Sequence, residues 1–135
     1  MAFKALNILT LPFPDWLLNT DYTLVLNEEG VTEDGAPKES LETSGKCIFS
    51  EKAQRIIDAE GKQITLLGKV IIKGDVAPSL KTVSDGVITI NGRSYEIHAG
   101  YRPRNPNGTV HHTEFEIKWM LKLNSIIKIY HIFKN

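Results

Sequence analysis

The amino-acid sequence predicts an all-β fold: a small β-barrel or sandwich of about six strands, with long loops and at most one short helix. Three observations lead there. Apolar residues alternate with polar ones in several short windows, which is the period of a half-buried strand. Turn-forming pairs separate those windows, among them Asp34-Gly35, Gly74-Asp75, Asp85-Gly86, Asn91-Gly92 and Asn107-Gly108. No heptad pattern, internal repeat or low-complexity tract competes with that reading.

The elements follow in chain order. Residues 1–20 form an apolar arm carrying Leu6, Ile8, Leu9, Leu11, Phe13, Trp16, Leu17 and Leu18. Pro12 and Pro14 stop any long helix. Such an arm packs on its own core or docks on another subunit, and the sequence leaves both open. Residues 21–31 read as a strand in which Tyr22, Leu24 and Leu26 alternate with Thr23 and Val25. Residues 31–40, rich in Gly, Pro and acid, read as a loop. Residues 41–50 read as a second strand. Residues 51–60 fit a short helix by content, yet a long hairpin turning at Glu60-Gly61-Lys62 joins better to the Ile-, Leu- and Val-rich run that follows. Residues 76–85, framed by Pro78 and Asp85-Gly86, read as a loop.

The next hairpin is the cleanest signal. Ile88 and Ile90 precede Asn91-Gly92, and Tyr95 and Ile97 follow it. Asn-Gly suits a type I′ turn, which needs positive φ at both central positions. Residues 102–112 read as a loop. Residues 113–119 form a closing strand with Phe115, Ile117 and Trp119 on one face. Residues 120–135 read as a strand or a short helix. The whole is one domain of 135 residues, with the arm at its start and a C-terminal extension over about 119–135.

Sixteen basic and sixteen acidic residues cancel, so the overall charge argues against a protein that grips nucleic acid through phosphates. The charge is unevenly placed. Residues 1–92 hold nine Lys/Arg against thirteen Asp/Glu, and residues 93–135 hold seven against three. Solvated faces account for that split; so does a polar subunit whose acidic side meets a neighbour's basic side. Cys47 is the single cysteine, which excludes an intramolecular disulfide and suits a reducing cytoplasm. The first eighteen residues make a poor signal peptide, and no run approaches the ~20 apolar residues of a membrane span.

No catalytic constellation stands out. The chain lacks G-x-S-x-G, P-loop and G-x-G-x-x-G patterns, so no catalytic residue is expected. His111 and His112 are adjacent, and in a strand they would point to opposite faces. His112 and Glu114 would share a face, but a polar loop end explains them without a metal. No cofactor or metal is expected. Tyr95, Tyr101, Arg93, Arg102 and Arg104 are the residues with which a small barrel would hold single-stranded nucleic acid.

The stretch from Asp58 to Lys118 carries a family likeness in four blocks: GKVIIKGD with its loop, G-x-ITINGRSYEI, GYRPRNPNGTVHHTE and the closing EFEI. It resembles the head-completion proteins of tailed bacteriophages, the small barrel subunits called stoppers, head-tail joining or minor capsid proteins. The resemblance implies a structural virion protein. Copies of the chain would form a ring in the head-tail neck, assembled in the host cytoplasm. Portal and adaptor proteins would lie above the ring and tail proteins below. A loop from each subunit would point into the channel and hold back packaged double-stranded DNA. By chemistry the gate would be the acidic loop around Glu33, Asp34, Gly35 and Lys38, because an acidic loop repels DNA rather than trapping it; by position the tip at residues 58–63 also qualifies. Candidate contacts with other subunits or partners are Glu28 and Glu29, Arg93, Arg102 and Arg104, and Trp16 and Phe13 of the arm. Both ends of the chain depart from the family pattern.

Overall fold

The computed structural model describes residues 10–27, 34–35 and 40–120. Among these residues lie six strands: β1 (Thr20–Asn27), β2 (Ser40–Ile57), β3 (Gln63–Lys73), β4 (Gly86–Ile90), β5 (Arg93–Tyr101) and β6 (His112–Trp119). Ahead of them lies one 3₁₀ turn, Asp15–Leu17. The strands are all antiparallel and close on themselves in the order β1-β2-β3-β6-β5-β4, with β4 paired back to β1. The expected all-β barrel is therefore what the chain forms.

Alternation decides which side chains go inside. Tyr22, Leu24 and Leu26 of β1, Val70 and Ile72 of β3, Ile88 and Ile90 of β4, Tyr95 and Ile97 of β5, and Phe115 and Ile117 of β6 all point inward and are buried. Their polar neighbours face out, as the period of two requires. The β4–β5 turn has φ of 52° at Asn91 and 78° at Gly92, the type I′ geometry its dipeptide favours. Residues 51–57 are strand, not helix, and the long hairpin turns over residues 58–62 as expected.

The loop after β3 is more than a connector. Ala77, Leu80 and Val83 are buried in the core, so this segment plugs the barrel where β3 ends. Thr113 holds it there: its Oγ1 donates to the Gly74 carbonyl at 2.8 Å and accepts from the Val76 amide at 3.2 Å. Trp119 also departs from expectation. It continues the parity of Phe115 and Ile117 but lies past the core, 57% exposed, against Tyr95.

Cys47 is fully buried on β2 beside Thr20. Burial, reinforced by the nearby Asp21 carboxylate, pushes its thiol from the ordinary 9.0 up to about 11. The folded thiol thus holds its proton more tightly than the unfolded one. Its contribution to stability is complete below pH 9 and is lost as pH rises through about 11. Urea titrations across that window are expected to show the parent losing on the order of 2 kcal/mol more than Cys47→Ala. Equal slopes for the two proteins would contradict this.

Candidate assembly surfaces

Strand β2 is eighteen residues long, far longer than β1, its neighbour on one side. β1 pairs only with Ser40–Cys47 of β2, and β6 pairs only with Gly68–Lys73 of β3. Beyond those limits the β2–β3 hairpin projects from the barrel as a two-stranded ribbon. Among the described residues, the outer edge of Ile48–Ile57 and that of Gln63–Leu67 have no strand partner. A bulge lies between Glu51 and Gln54, opposite Gly68–Leu66, and bends the ribbon. Gly68 permits this bend, because a Cβ there would collide with the Ser50 carbonyl oxygen.

Asp58 builds the ribbon tip. Its Oδ1 accepts from the amides of Glu60 at 3.0 Å and Lys62 at 2.8 Å, while Gly61 takes φ of 82°. Asp58→Ala is expected to lose about 1 kcal/mol and to speed hydrogen exchange at the Lys62 amide, leaving the barrel amides protected. Unchanged exchange at Lys62 would contradict that role. Next to the tip, Ile57 is 74% exposed. Ile57, Ile64, His98 and Lys118 line an open cleft of about 750 Å³ between ribbon and barrel wall.

Nearer the barrel, Phe49, Leu67, Tyr95 and Trp119 line a groove of about 350 Å³, with Glu51, Lys52 and Arg93 at its edges. The Phe49 and Tyr95 rings lie 6.1 Å apart and the Tyr95 and Trp119 rings 5.8 Å.

The N-terminal arm lies on its own barrel where β3 ends and β6 begins. The Leu11 amide donates to Asn105 Oδ1 at 2.8 Å, and Asp15 pairs with Lys73 at 2.7 Å. The Phe13 ring sits 5.6 Å from that of His111. His111 Nε2 is 2.9 Å from the Pro12 carbonyl, which only accepts, so this nitrogen carries the proton. His111 Nδ1 then accepts from His112 Nδ1 at 2.8 Å. The two imidazoles therefore meet instead of pointing apart: His111 precedes the strand and escapes its alternation. Burial and the adjacent His111 lower the His112 pKa, outweighing Glu114 at 3.8 Å. Among the described residues, no three His, Cys, Asp or Glu side chains are placed to hold a metal ion.

The expected contact residues fall in separate places. Glu28, Glu29, Glu33 and Lys38 lie outside the described residues, as does the C-terminal extension from residue 121. Asp34 and Gly35 form an exposed turn, with Gly35 at φ 83°. Trp16 is 80% exposed on its 3₁₀ turn, and Phe13 is half-buried beneath it in sequence. Arg93 edges the aromatic groove, at the start of β5. Arg104 is exposed beyond the end of β5 and donates to the Gly108 carbonyl.

Arg102 corrects the surface reading. Its side chain is only 15% exposed, its Nη2 donates to the Ala77 carbonyl at 2.6 Å, and its Nε lies 3.3 Å from Asp75 without hydrogen-bond alignment. It braces the buried loop and has little surface left for a partner. The nucleic-acid platform is likewise not assembled. Tyr95 is buried beside Arg93, whereas Tyr101 lies roughly 20 Å along β5 from Tyr95 and Arg104 lies beyond the end of that strand.

What sequence reasoning missed was the projecting ribbon and the groove at its base. The length of the apolar β2–β3 hairpin against the short neighbouring windows was the available signal. No protein-family model matches the chain, and no curated protein matches it. Among the described residues, no helix is long and apolar enough to cross a membrane.

Proposed function

We propose that this chain is a structural virion protein of the phage head-tail connector: a head-closure (stopper) subunit that forms a ring, seals the DNA-filled capsid and offers the tail its docking surface. The observation that carries the assembly part is the projecting β2–β3 ribbon, whose two edges have no strand partner among the described residues, with the exposed Ile57 near its tip. Open edges invite strand addition, and natural monomers normally blunt them. The particle context rests on the resemblance of residues 58–118.

In this reading the mechanism is steric. The ribbon and the aromatic groove hold neighbouring subunits and the proteins above and below, while a loop narrows the channel. Exposed ion pairs such as Lys46–Asp21 contribute little, of order 0–1 kcal/mol each. Apolar and backbone contacts therefore supply most of the assembly energy. The gate is proposed as the loop holding Asp34 and Gly35.

The test is to count and locate the protein in purified, DNA-filled particles by quantitative mass spectrometry and antibody labelling in the electron microscope. A low copy number with label confined to the neck is expected. Label over the shell or along the tail, or absence from particles, would overturn the head-closure reading. A neck position beside different neighbours would instead favour an adaptor or tail terminator. A salt-sensitive shift of a labelled oligonucleotide would favour the single-stranded nucleic-acid binder.

A further inference from the structure

Two anomalies of the surface fit each other. The first is Trp16, the most exposed large apolar side chain among the described residues. Scattered exposed apolar residues are ordinary, but a tryptophan held out this far on a braced turn is not. The Asp15 amide bonds to the Phe13 carbonyl at 2.9 Å and the Leu17 amide to that of Pro14 at 2.9 Å. Asp15 is tied to Lys73, and Pro12 to His111. The knob is thus fixed before any partner arrives, which lowers the entropy lost on binding.

The second is the groove of Phe49, Leu67, Tyr95 and Trp119. It is aromatic at its base and open, and its volume of about 350 Å³ admits one indole ring with its flanking backbone. Lys52 and Arg93 edge it, with Glu51 as the one acid, so its rim carries a net positive charge. Asp15, the residue immediately before Trp16, has the complementary sign: one oxygen, Oδ1, pairs with Lys73, and the side chain stays 62% exposed, so the carboxylate can also face a neighbour's cations.

The two features cannot meet within one chain. The arm is fastened where β6 starts, at His111–His112, and the groove holds Trp119, where β6 stops. That strand has eight residues, so the sites are separated by roughly 23 Å along it. A knob and a hole on opposite ends of one strand make a head-to-tail contact between copies, which closes into a ring or runs on as a filament.

We propose that Trp16 of one copy inserts into the Phe49–Tyr95–Trp119 groove of the next, with Asp15 facing Arg93 and Lys52. This deepens the ring reading given above and identifies the partner at this surface as a second copy of the same chain. Buried tryptophans dominate interfaces of this kind.

The experiment is sedimentation velocity on the full chain over a concentration series, with Trp16→Ala, Trp119→Ala and an equimolar mixture of the two. Both side chains are exposed, so both variants are expected to keep the parent's thermal midpoint, which is measured alongside. The parent is expected to associate beyond a dimer, and each variant to weaken association by roughly 30-fold or more. Trp16→Ala keeps an intact groove and Trp119→Ala keeps an intact knob, so the mixture is expected to form a heterodimer and stop there. A monomeric parent, a Trp16→Ala chain that associates like the parent, or a mixture that stays monomeric would overturn the inference. Failure of the ring's particle context reads out separately. Knob-in-groove association by a protein absent from particles would leave this contact standing, whereas normal incorporation of Trp16→Ala into the neck would remove this contact alone.

Discussion

Ile57→Lys is expected to leave the barrel folded and to abolish incorporation of the protein into particles. The side chain is 74% exposed and stands outside the core, so the change in stability is expected to stay within about 0.5 kcal/mol. Its effect on assembly is of another order. Ile57 ends β2, on the ribbon whose outer edges have no strand partner among the described residues. A lysine on such an edge is the usual natural device against strand addition, because docking a neighbour there would desolvate the ammonium. The measurement is a complementation assay in which variant particles are purified and the copies per particle counted, with the thermal midpoint of the free protein taken in parallel. A folded variant that enters particles at the parent's level would remove the ribbon from the interface.

Phe115→Ala is expected to cost about 3–5 kcal/mol, the range for removing a fully buried aromatic side chain. Phe115 is 0% exposed. It stands between Val70 of β3 and Gly100 of β5 in the sheet register, and Gly100 lacks a side chain because a Cβ there would collide with the Val83 carbonyl of the buried loop. A domain of this size has roughly 5–15 kcal/mol in all, so this one change removes a large part of it. The thermal midpoint is expected to fall by roughly 10–20 °C. Trp119→Ala on the same strand is the internal control, since its larger ring is mostly exposed and is expected to cost far less. Similar losses for the two would mean that the core is not centred on Phe115.

The parts of the fold legible from the residues are those decided by neighbours in the chain. Asn91-Gly92 announced its hairpin because left-handed backbone is a local property of those two residues. The inward set of β1, β4 and β6 was legible because side chains alternate with a period of two whatever the strand pairs with. The long β2–β3 hairpin was legible from a turn signal between two apolar runs. Three features were not. Trp119 has the right parity but lies past the end of the core, and parity carries no information on where a core stops. His111 and His112 meet because one precedes the strand, and a boundary shift of one residue reverses that conclusion. Arg102 reads as a surface cation until Asp75 and the Ala77 carbonyl, more than twenty residues away, are brought beside it.

The assembly surfaces divide along the same line. The proline-broken apolar arm holding Trp16 and the acidic loop at Asp34-Gly35 could be singled out from the sequence, because both depend on residues adjacent in the chain, whereas the turn and the exposure of Trp16 were decided by the fold. The groove could not. Phe49, Leu67, Tyr95 and Trp119 come from four different strands, and only barrel closure in the order β1-β2-β3-β6-β5-β4 puts them together. The amino-acid sequence by itself thus determined the strands, their turns and their buried faces, since these follow from backbone geometry and alternation over a few residues. Closure, the unequal strand lengths that carry the ribbon beyond its neighbours among the described residues, and the meeting of aromatic side chains at its base were decided only by the tertiary structure, because each depends on pairings between residues far apart in the chain.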